Sequence, residues 1–122
     1  MSSEIRPKET QVIAELYDVA EKDFLDSPEL MKKLLQDAAD KSGVKVLHIH
    51  VHEFEPYGVS GFLMTDKGYV AIHTWPEHSY ATINIVSFSE PSWSWDMYKI
   101  MVKFLKPGQQ SAVEIKSGLD FR

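Results

Sequence analysis

Cysteine is absent from the sequence. Disulfides, thiolate metal ligands and a cysteine nucleophile are therefore ruled out, which is typical of proteins from a reducing compartment. The chain also lacks an apolar run of about 18 residues, the length that a membrane-spanning helix requires, and its beginning does not resemble a signal peptide. We expect a cytoplasmic protein with no membrane partner.

Clustered positive charge is missing as well. The thirteen Lys and Arg residues are scattered along a chain whose net charge is −5. Nucleic-acid binding needs a basic face, so we expect no nucleic-acid partner. A length of 122 residues with 43% hydrophobic and 25% charged residues predicts one ordinary globular domain. We place a flexible arm at residues 1–10 and the domain at residues 11–122.

Hydrophobic spacing predicts the secondary structure. One helix starts at Ser27, which is followed by a proline, and ends at Gly43. A second helix follows Ser92 or Ser94 and stops before Pro107. Apolar runs and alternation predict strands at 12–17, 44–54, 60–65, 69–74, 80–87 and 111–116. This order predicts an α+β two-layer sandwich, with two helices on one face of a mainly antiparallel sheet and a second face that is polar or covered by a partner.

Three histidines recur at alternate positions of the second predicted strand. His48, His50 and His52 then share one face, and Leu47, Ile49 and Val51 share the other. Two interpretations are open, a three-histidine metal site and a polar sheet face. We favour the polar face, because a metal site also needs an open coordination position and supporting residues that are not recognisable nearby. No metal is predicted.

The segment at 72–78 combines His73, Trp75 and Glu77 with a proline where a strand ends. Such clusters line functional sites, yet the same residues can simply close the edge of a core, and the two interpretations weigh about equally. Ser60 lies between two glycines and has no clear base beside it in the sequence, so we do not expect a hydrolytic nucleophile there. The turn at 66–68 predicts a hairpin with Gly68 in the left-handed conformation.

Three motifs together resemble the small prokaryotic S-adenosylmethionine decarboxylases. They are Pro-Tyr-Gly-Val-Ser-Gly at 56–61, Ile-His-Thr-Trp-Pro-Glu at 72–77 and Tyr-Ala at 80–81, and the resemblance extends more loosely over residues 11–90. Members of that family are proenzymes that cut themselves at a Glu-Ser bond. The serine becomes a pyruvoyl group, which holds the substrate amine and accepts electrons during loss of carbon dioxide.

The resemblance implies that the cleavage chemistry has been lost here. Aligned without a gap, the family's self-cleaving serine matches Gly68, the preceding glutamate matches Lys67, and the proton-donating cysteine matches Phe88. Glycine has no side-chain oxygen to attack the preceding carbonyl, so no pyruvoyl cofactor is expected. The family's helper serine and proton-donating histidine match Ser60 and His73, which are retained.

The resemblance also implies a ligand and partners. Glu77 matches the family's substrate-site glutamate and would bind ribose hydroxyls, while Tyr17, Tyr57 or Trp75 would stack on an adenine or face a sulfonium cation. We expect a ligand-binding or regulatory protein of S-adenosylmethionine or polyamine (spermidine) metabolism, as a homodimer or paired with an active homologue. The alternative is an enzyme that acts on S-adenosylmethionine or a related amino acid without pyruvoyl. A third reading, a pyruvoyl enzyme cut at an unusual place, is the easiest to exclude.

Overall fold

The computed structural model describes residues 8–88 and 91–118, apart from the side chain of Pro91. The described strands are β1 (Lys8–Val19), β2 (Val46–Glu53), β3 (Val59–Thr65), β4 (Gly68–Trp75), β5 (Tyr80–Ser87) and β6 (Pro107–Gly118). The described helices are α1 (Asp23–Asp26), α2 (Pro28–Ser42) and α3 (Pro91–Leu105), and a 3-10 turn spans Pro76–His78. None of the described helices has the length and apolar character needed to cross a bilayer.

The strands form one six-stranded sheet in the order β2-β3-β4-β5-β1-β6, and every pairing is antiparallel. Side chains of α2 and α3 form a single apolar core with the inward side chains of the sheet, including Leu63, Ile72 and Ile83. The predicted α+β sandwich is confirmed. We call the other side of the sheet the open face; it carries the outward residues of each strand, such as Ser60 on β3 and His73 on β4.

Helix α2 begins and ends where its capping residues predict. The Ser27 side chain accepts a hydrogen bond from the Leu30 amide at 3.2 Å, and a proline occupies the first helical position. At the other end Gly43 has a φ of +74°, the left-handed conformation that glycine adopts at helix ends without steric cost. Helix α3 starts at Pro91, slightly before the predicted serines.

The first and last strands of the chain, β1 and β6, are longer than predicted. β1 begins at Lys8, so the last part of the predicted arm lies in the sheet, while residues 1–7 fall outside the described range. β6 begins at Pro107 and pairs with β1 from Val19↔Pro107 to Lys8↔Gly118. The added residues are mostly polar, so the sequence shows no apolar alternation there. Main-chain hydrogen bonds to the neighbouring strand stabilise these extensions instead.

One prediction for β2 was wrong, and one short helix was missed. Leu47 does not share the buried side of β2 with Ile49: it is 56% exposed, because the pairing with β3 shifts between Val46 and His48. A bulge of this kind inserts one residue and breaks the alternation. The short helix α1 was not predicted, since its four residues are too few to show a helical period.

Candidate functional site

Ser60 and His73 lie directly opposite each other on β3 and β4, and both point to the open face. The Ser60 Oγ atom is 2.7 Å from His73 Nδ1. Nδ1 can accept this hydrogen bond when the imidazole proton is on Nε2. The base that could not be found beside Ser60 in the sequence is thus supplied by the neighbouring strand.

The three histidines of β2 also point to the open face. His48, His50 and His52 lie opposite Met64, Phe62 and Ser60, respectively. The His48 and His50 rings stack with centroids 6.5 Å apart, and the His52 ring packs edge-on against Phe54 at 4.7 Å. Within residues 8–88 and 91–118, no group of three or more His, Asp or Glu side chains is arranged to hold a metal ion.

Tyr17 and Trp75, both predicted to bind ligand, line one cavity of about 470 Å³ together with His78 and Tyr80. The Tyr80 ring lies between the other two aromatic rings, with centroid distances of 5.3 Å to Tyr17 and 5.4 Å to Trp75. The Tyr17 hydroxyl donates a hydrogen bond to the Glu15 carboxylate. Burial, and then the Glu15 charge and hydrogen bond, raise the pKa of Tyr80. The cavity therefore combines aromatic faces with a nearby carboxylate.

Glu77 and Tyr57 line a different cavity, of about 640 Å³. Pro76 also lines this cavity, and the rest of its wall is formed by residues in and around α1 and the start of α2, which are Lys22, Asp23, Asp26, Ser27 and Leu30. Glu77 belongs to the Pro76–His78 turn, whose last residue, His78, lines the aromatic cavity. Glu77 is exposed and Tyr57 is 55% exposed. The structure therefore divides the predicted ligand residues between two cavities that adjoin the Pro76–His78 turn.

Two residues that the sequence did not identify hold this region in place. The Asp26 carboxylate accepts a hydrogen bond from the Gly58 amide at 2.8 Å. The buried Thr74 hydroxyl donates to the Leu25 carbonyl at 2.5 Å and accepts from the Val59 amide at 2.9 Å. These bonds join α1 to the ends of β3 and β4, over separations in the sequence that local spacing does not reveal.

Gly68 does not have the predicted left-handed conformation, since its φ is +158°. The need for glycine there is steric: a Cβ atom would lie 1.9 Å from the Val86 carbonyl oxygen on β5. The turn is further held by the Phe88 amide, which donates to the Lys67 carbonyl at 2.8 Å. The Thr65 hydroxyl accepts from the Gly68 amide at 3.1 Å.

Phe88 lies at the end of a row of aromatic rings. Its ring centroid is 5.9 Å from that of Tyr69, which is 5.7 Å from that of Phe62. The Phe88 side chain is half-buried. It contributes apolar contact at this edge of the sheet and has no proton to donate.

Comparisons with known proteins agree with this fold. The model of the S-adenosylmethionine decarboxylase family matches residues 10–118. The S-adenosylmethionine decarboxylase proenzyme of Caldicellulosiruptor saccharolyticus is 34% identical over 108 residues, which are 88% of this chain and 86% of that protein. The proenzyme of Thermosipho melanesiensis is 34% identical over 103 residues, or 84% of this chain and 78% of that protein.

The solved structures extend the agreement. The adenosylmethionine decarboxylase from Aquifex aeolicus VF5 superposes with a TM-score of 0.85 at 25% identity, covering 94% of both chains. The Trypanosoma brucei enzyme shares the fold alone, with a TM-score of 0.64 at 17% identity over 86% of this chain and 45% of that one. Because the family model spans nearly all of the sheet and both long helices, this chain belongs to the S-adenosylmethionine decarboxylase family.

Proposed function

We propose that this chain binds S-adenosylmethionine, or a related small molecule of polyamine metabolism, without decarboxylating it through a pyruvoyl group. It would act as a ligand-binding or regulatory subunit. The observation that carries this proposal is the position of Gly68, which stands where the resemblance places the serine that forms the pyruvoyl group. The relatives named above are proenzymes, and this chain keeps the fold of the solved family structure.

The residues at the turn do not fit a pyruvoyl group. Glycine offers no oxygen from which the group could form, and the carbonyl oxygen of Val86 occupies the space that a Cβ atom would need. The Phe88 amide donates a hydrogen bond to the Lys67 carbonyl at 2.8 Å, which ties the turn to the end of β5. A closed turn held by these hydrogen bonds suits an uncut chain.

The aromatic cavity supports a ligand that carries a positive charge. The rings of Tyr17, Trp75 and Tyr80 offer π faces, and Glu15 adds a negative charge at the hydroxyl of Tyr17. A cation over an aromatic ring is stabilised by roughly 0.5–2 kcal/mol. The sulfonium and amino groups of S-adenosylmethionine are such cations, and its adenine can stack on the same rings.

The second cavity supports recognition of the sugar. Glu77 is exposed in it and accepts hydrogen bonds when ionised, as ribose hydroxyls require. Tyr57 adds an aromatic surface beside the carboxylate. A ligand with a nucleoside part and a charged tail can contact both cavities across the Pro76–His78 turn.

Pairing through the open face is the second part of the proposal. Several large apolar side chains remain exposed there, with Ile13 at 39%, Val113 at 57% and Ile115 at 46% exposure. These three lie on the neighbouring strands β1 and β6, where Ile13 is directly opposite Val113. A second copy, or an active homologue with the same fold, would cover this surface.

An enzyme that works without pyruvoyl is the alternative, and the Ser60 to His73 hydrogen bond favours it. An exposed imidazole next to a hydroxyl on the open face could move a proton to or from a substrate. Glu77 could play the same part in the second cavity.

Titration calorimetry with S-adenosylmethionine, its decarboxylated form and the polyamines tests the proposal directly. Saturable binding with no release of carbon dioxide from carboxyl-labelled ligand is the expected result. Conversion of the ligand to other products would favour the alternative. If no compound gives a heat change larger than that of buffer, the chain shares the family's fold but does not bind these ligands, and the proposal is wrong.

A further inference from the structure

Ser60 lies between two imidazoles on the open face. His73 on β4 is directly opposite Ser60 on one side, and His52 on β2 is directly opposite on the other side. Directly opposed residues in an antiparallel sheet have Cβ atoms about 4.5–5.5 Å apart, so both imidazole rings can reach the serine hydroxyl. The remaining histidines of β2 have no hydroxyl opposite them: His48 faces Met64 and His50 faces Phe62.

The two imidazoles are held differently. His73 Nδ1 already makes the 2.7 Å contact to Ser60 Oγ, so this histidine is placed to remove the hydroxyl proton. His52 packs its ring edge-on against Phe54, with centroids 4.7 Å apart, which restricts its orientation. A histidine that faces the serine from the opposite side can donate a hydrogen bond to the oxyanion that forms on the carbonyl oxygen of a substrate attacked by that serine.

A binding cavity adjoins this group of three residues. Trp75 follows His73 by two positions on β4, so both side chains are on the same face and about 7 Å apart along the strand. Trp75 lines the aromatic cavity of about 470 Å³ with Tyr17 and Tyr80. An aromatic or cationic group bound there would bring an attached acyl carbon towards Ser60.

We propose that Ser60 is a nucleophile for acyl transfer from small esters or thioesters whose leaving group is aromatic or cationic. The Ser60 oxygen forms a bond to the acyl carbonyl carbon while its proton passes to His73, and His52 donates a hydrogen bond to the resulting oxyanion. The carbonyl re-forms as the bond to the leaving oxygen or sulfur breaks, and His73 returns the proton to that atom. Water then attacks the acyl-serine by the same path, releases the carboxylic acid and restores Ser60.

This activity does not depend on S-adenosylmethionine binding, and its failure would leave the proposed function untouched. The probe is p-nitrophenyl acetate, an ester with a small acyl group and an aromatic leaving group. The full chain is incubated with it while release of nitrophenolate is followed, and the site of acetylation is then mapped by peptide mass spectrometry. We expect acetyl-Ser60 together with a burst or steady release of nitrophenolate.

Variants separate the three roles. Ser60→Ala should abolish the Ser60 adduct and leave only slow background acetylation of lysines. His73→Ala should slow acetylation of Ser60 by about 100-fold or more, the usual contribution of a general base, and added imidazole should restore part of the rate. His52→Asn should slow it less, while the matched variant His50→Asn, which faces Phe62, should leave the rate unchanged.

Rescue by imidazole is a result that loss of structure would not produce. The proposal is overturned if acetylation is confined to lysines in the unmutated chain, or if Ser60→Ala releases nitrophenolate at the same rate. It is also overturned if His73→Ala, with an unchanged circular dichroism spectrum, acetylates Ser60 at the original rate.

Discussion

Glu77 is the carboxylate that we propose binds the ligand, and it lies on the Pro76–His78 turn, lining the cavity that Tyr57 also lines. We expect Glu77→Gln to weaken binding of S-adenosylmethionine by about 1–3 kcal/mol, the range for a charge-assisted hydrogen bond. The fold should persist, because the side chain is exposed. Titration calorimetry gives the change in affinity, and thermal unfolding in the absence of ligand gives the change in stability.

Asp37→Asn is the matched control for that loss of charge. Asp37 pairs with Lys33 at 3.2 Å on the exposed surface of α2, away from both cavities. Removing its charge should leave ligand affinity unchanged, as expected for an exposed pair. Equal affinities for the Glu77→Gln variant and the unmutated chain would remove Glu77 from the binding site.

The β3-β4 hairpin depends on glycine both for space and for a φ of +158°, which other residues rarely adopt. In Gly68→Ala the new Cβ atom would lie 1.9 Å from the Val86 carbonyl oxygen, so β5 or the turn must move. Overpacking, together with a positive φ that other residues rarely adopt, should lower the free energy of unfolding by about 2–4 kcal/mol. Urea denaturation, with the midpoint and slope fitted separately, measures the loss.

Gly43→Ala separates the two contributions. Gly43 also has a positive φ, of +74°, but a Cβ atom there would meet nothing within 4 Å. This variant should cost only about 1–2 kcal/mol, the backbone term alone. If Gly68→Ala costs no more than Gly43→Ala, contact with Val86 is not what requires glycine at the hairpin.

The same hairpin should keep the chain whole. We expect intact-mass measurement of the purified protein to give one uncut chain, because Gly68, which the resemblance matches to the family's self-cleaving serine, has no nucleophilic side chain. Gly68→Ser should neither cut nor release carbon dioxide from carboxyl-labelled S-adenosylmethionine. Its hydroxyl would be crowded by Val86, the preceding residue is Lys67, and Phe88 offers no proton.

Turnover by the Gly68→Ser variant would show that Lys67 and Phe88 are compatible with the family's chemistry. Two fragments separating near residues 67 and 68 in the unmutated protein would contradict the prediction of an uncut chain outright.

The assembled protein should be larger than one chain. Light scattering at low micromolar concentration is expected to give a mass above the 14.0 kDa of the monomer. Ile13→Asp on the open face should shift the particle towards the monomer, because a carboxylate in an apolar interface must be desolvated without a partner. Leu30→Asp on α2 is the matched control: Leu30 is 37% exposed against 39% for Ile13, but it belongs to the helical layer.

A monomer at every concentration would mean that the open face is solvated, as one face of an antiparallel sheet can be. A loss of mass with Leu30→Asp but not with Ile13→Asp would place the interface on the helices instead.

The order of the strands and the two long helices followed from the sequence because apolar periodicity and capping residues are local. Residues such as Ser27 and Gly43 mark helix ends whatever the rest of the chain does. The family was recognisable from short motifs for the same reason, since Ser60, His73 and Glu77 keep their neighbours along the chain. Local signals could not show the bulge at Leu47 or the full length of β6, which depend on pairing with another strand.

Contacts between distant segments appeared only with the folded chain. Strand register brings His73 Nδ1 to 2.7 Å from Ser60 Oγ and sets His52 on the other side, although no spacing in the sequence states which residues are opposite. Packing of the hairpin against β5 makes Gly68 a steric requirement, where a turn preference had been inferred. Trp75 and Glu77 are two positions apart in the sequence but line different cavities. The chain leaves β4 at Trp75 and enters the Pro76–His78 turn, so the alternation of side-chain direction along the strand does not continue to Glu77.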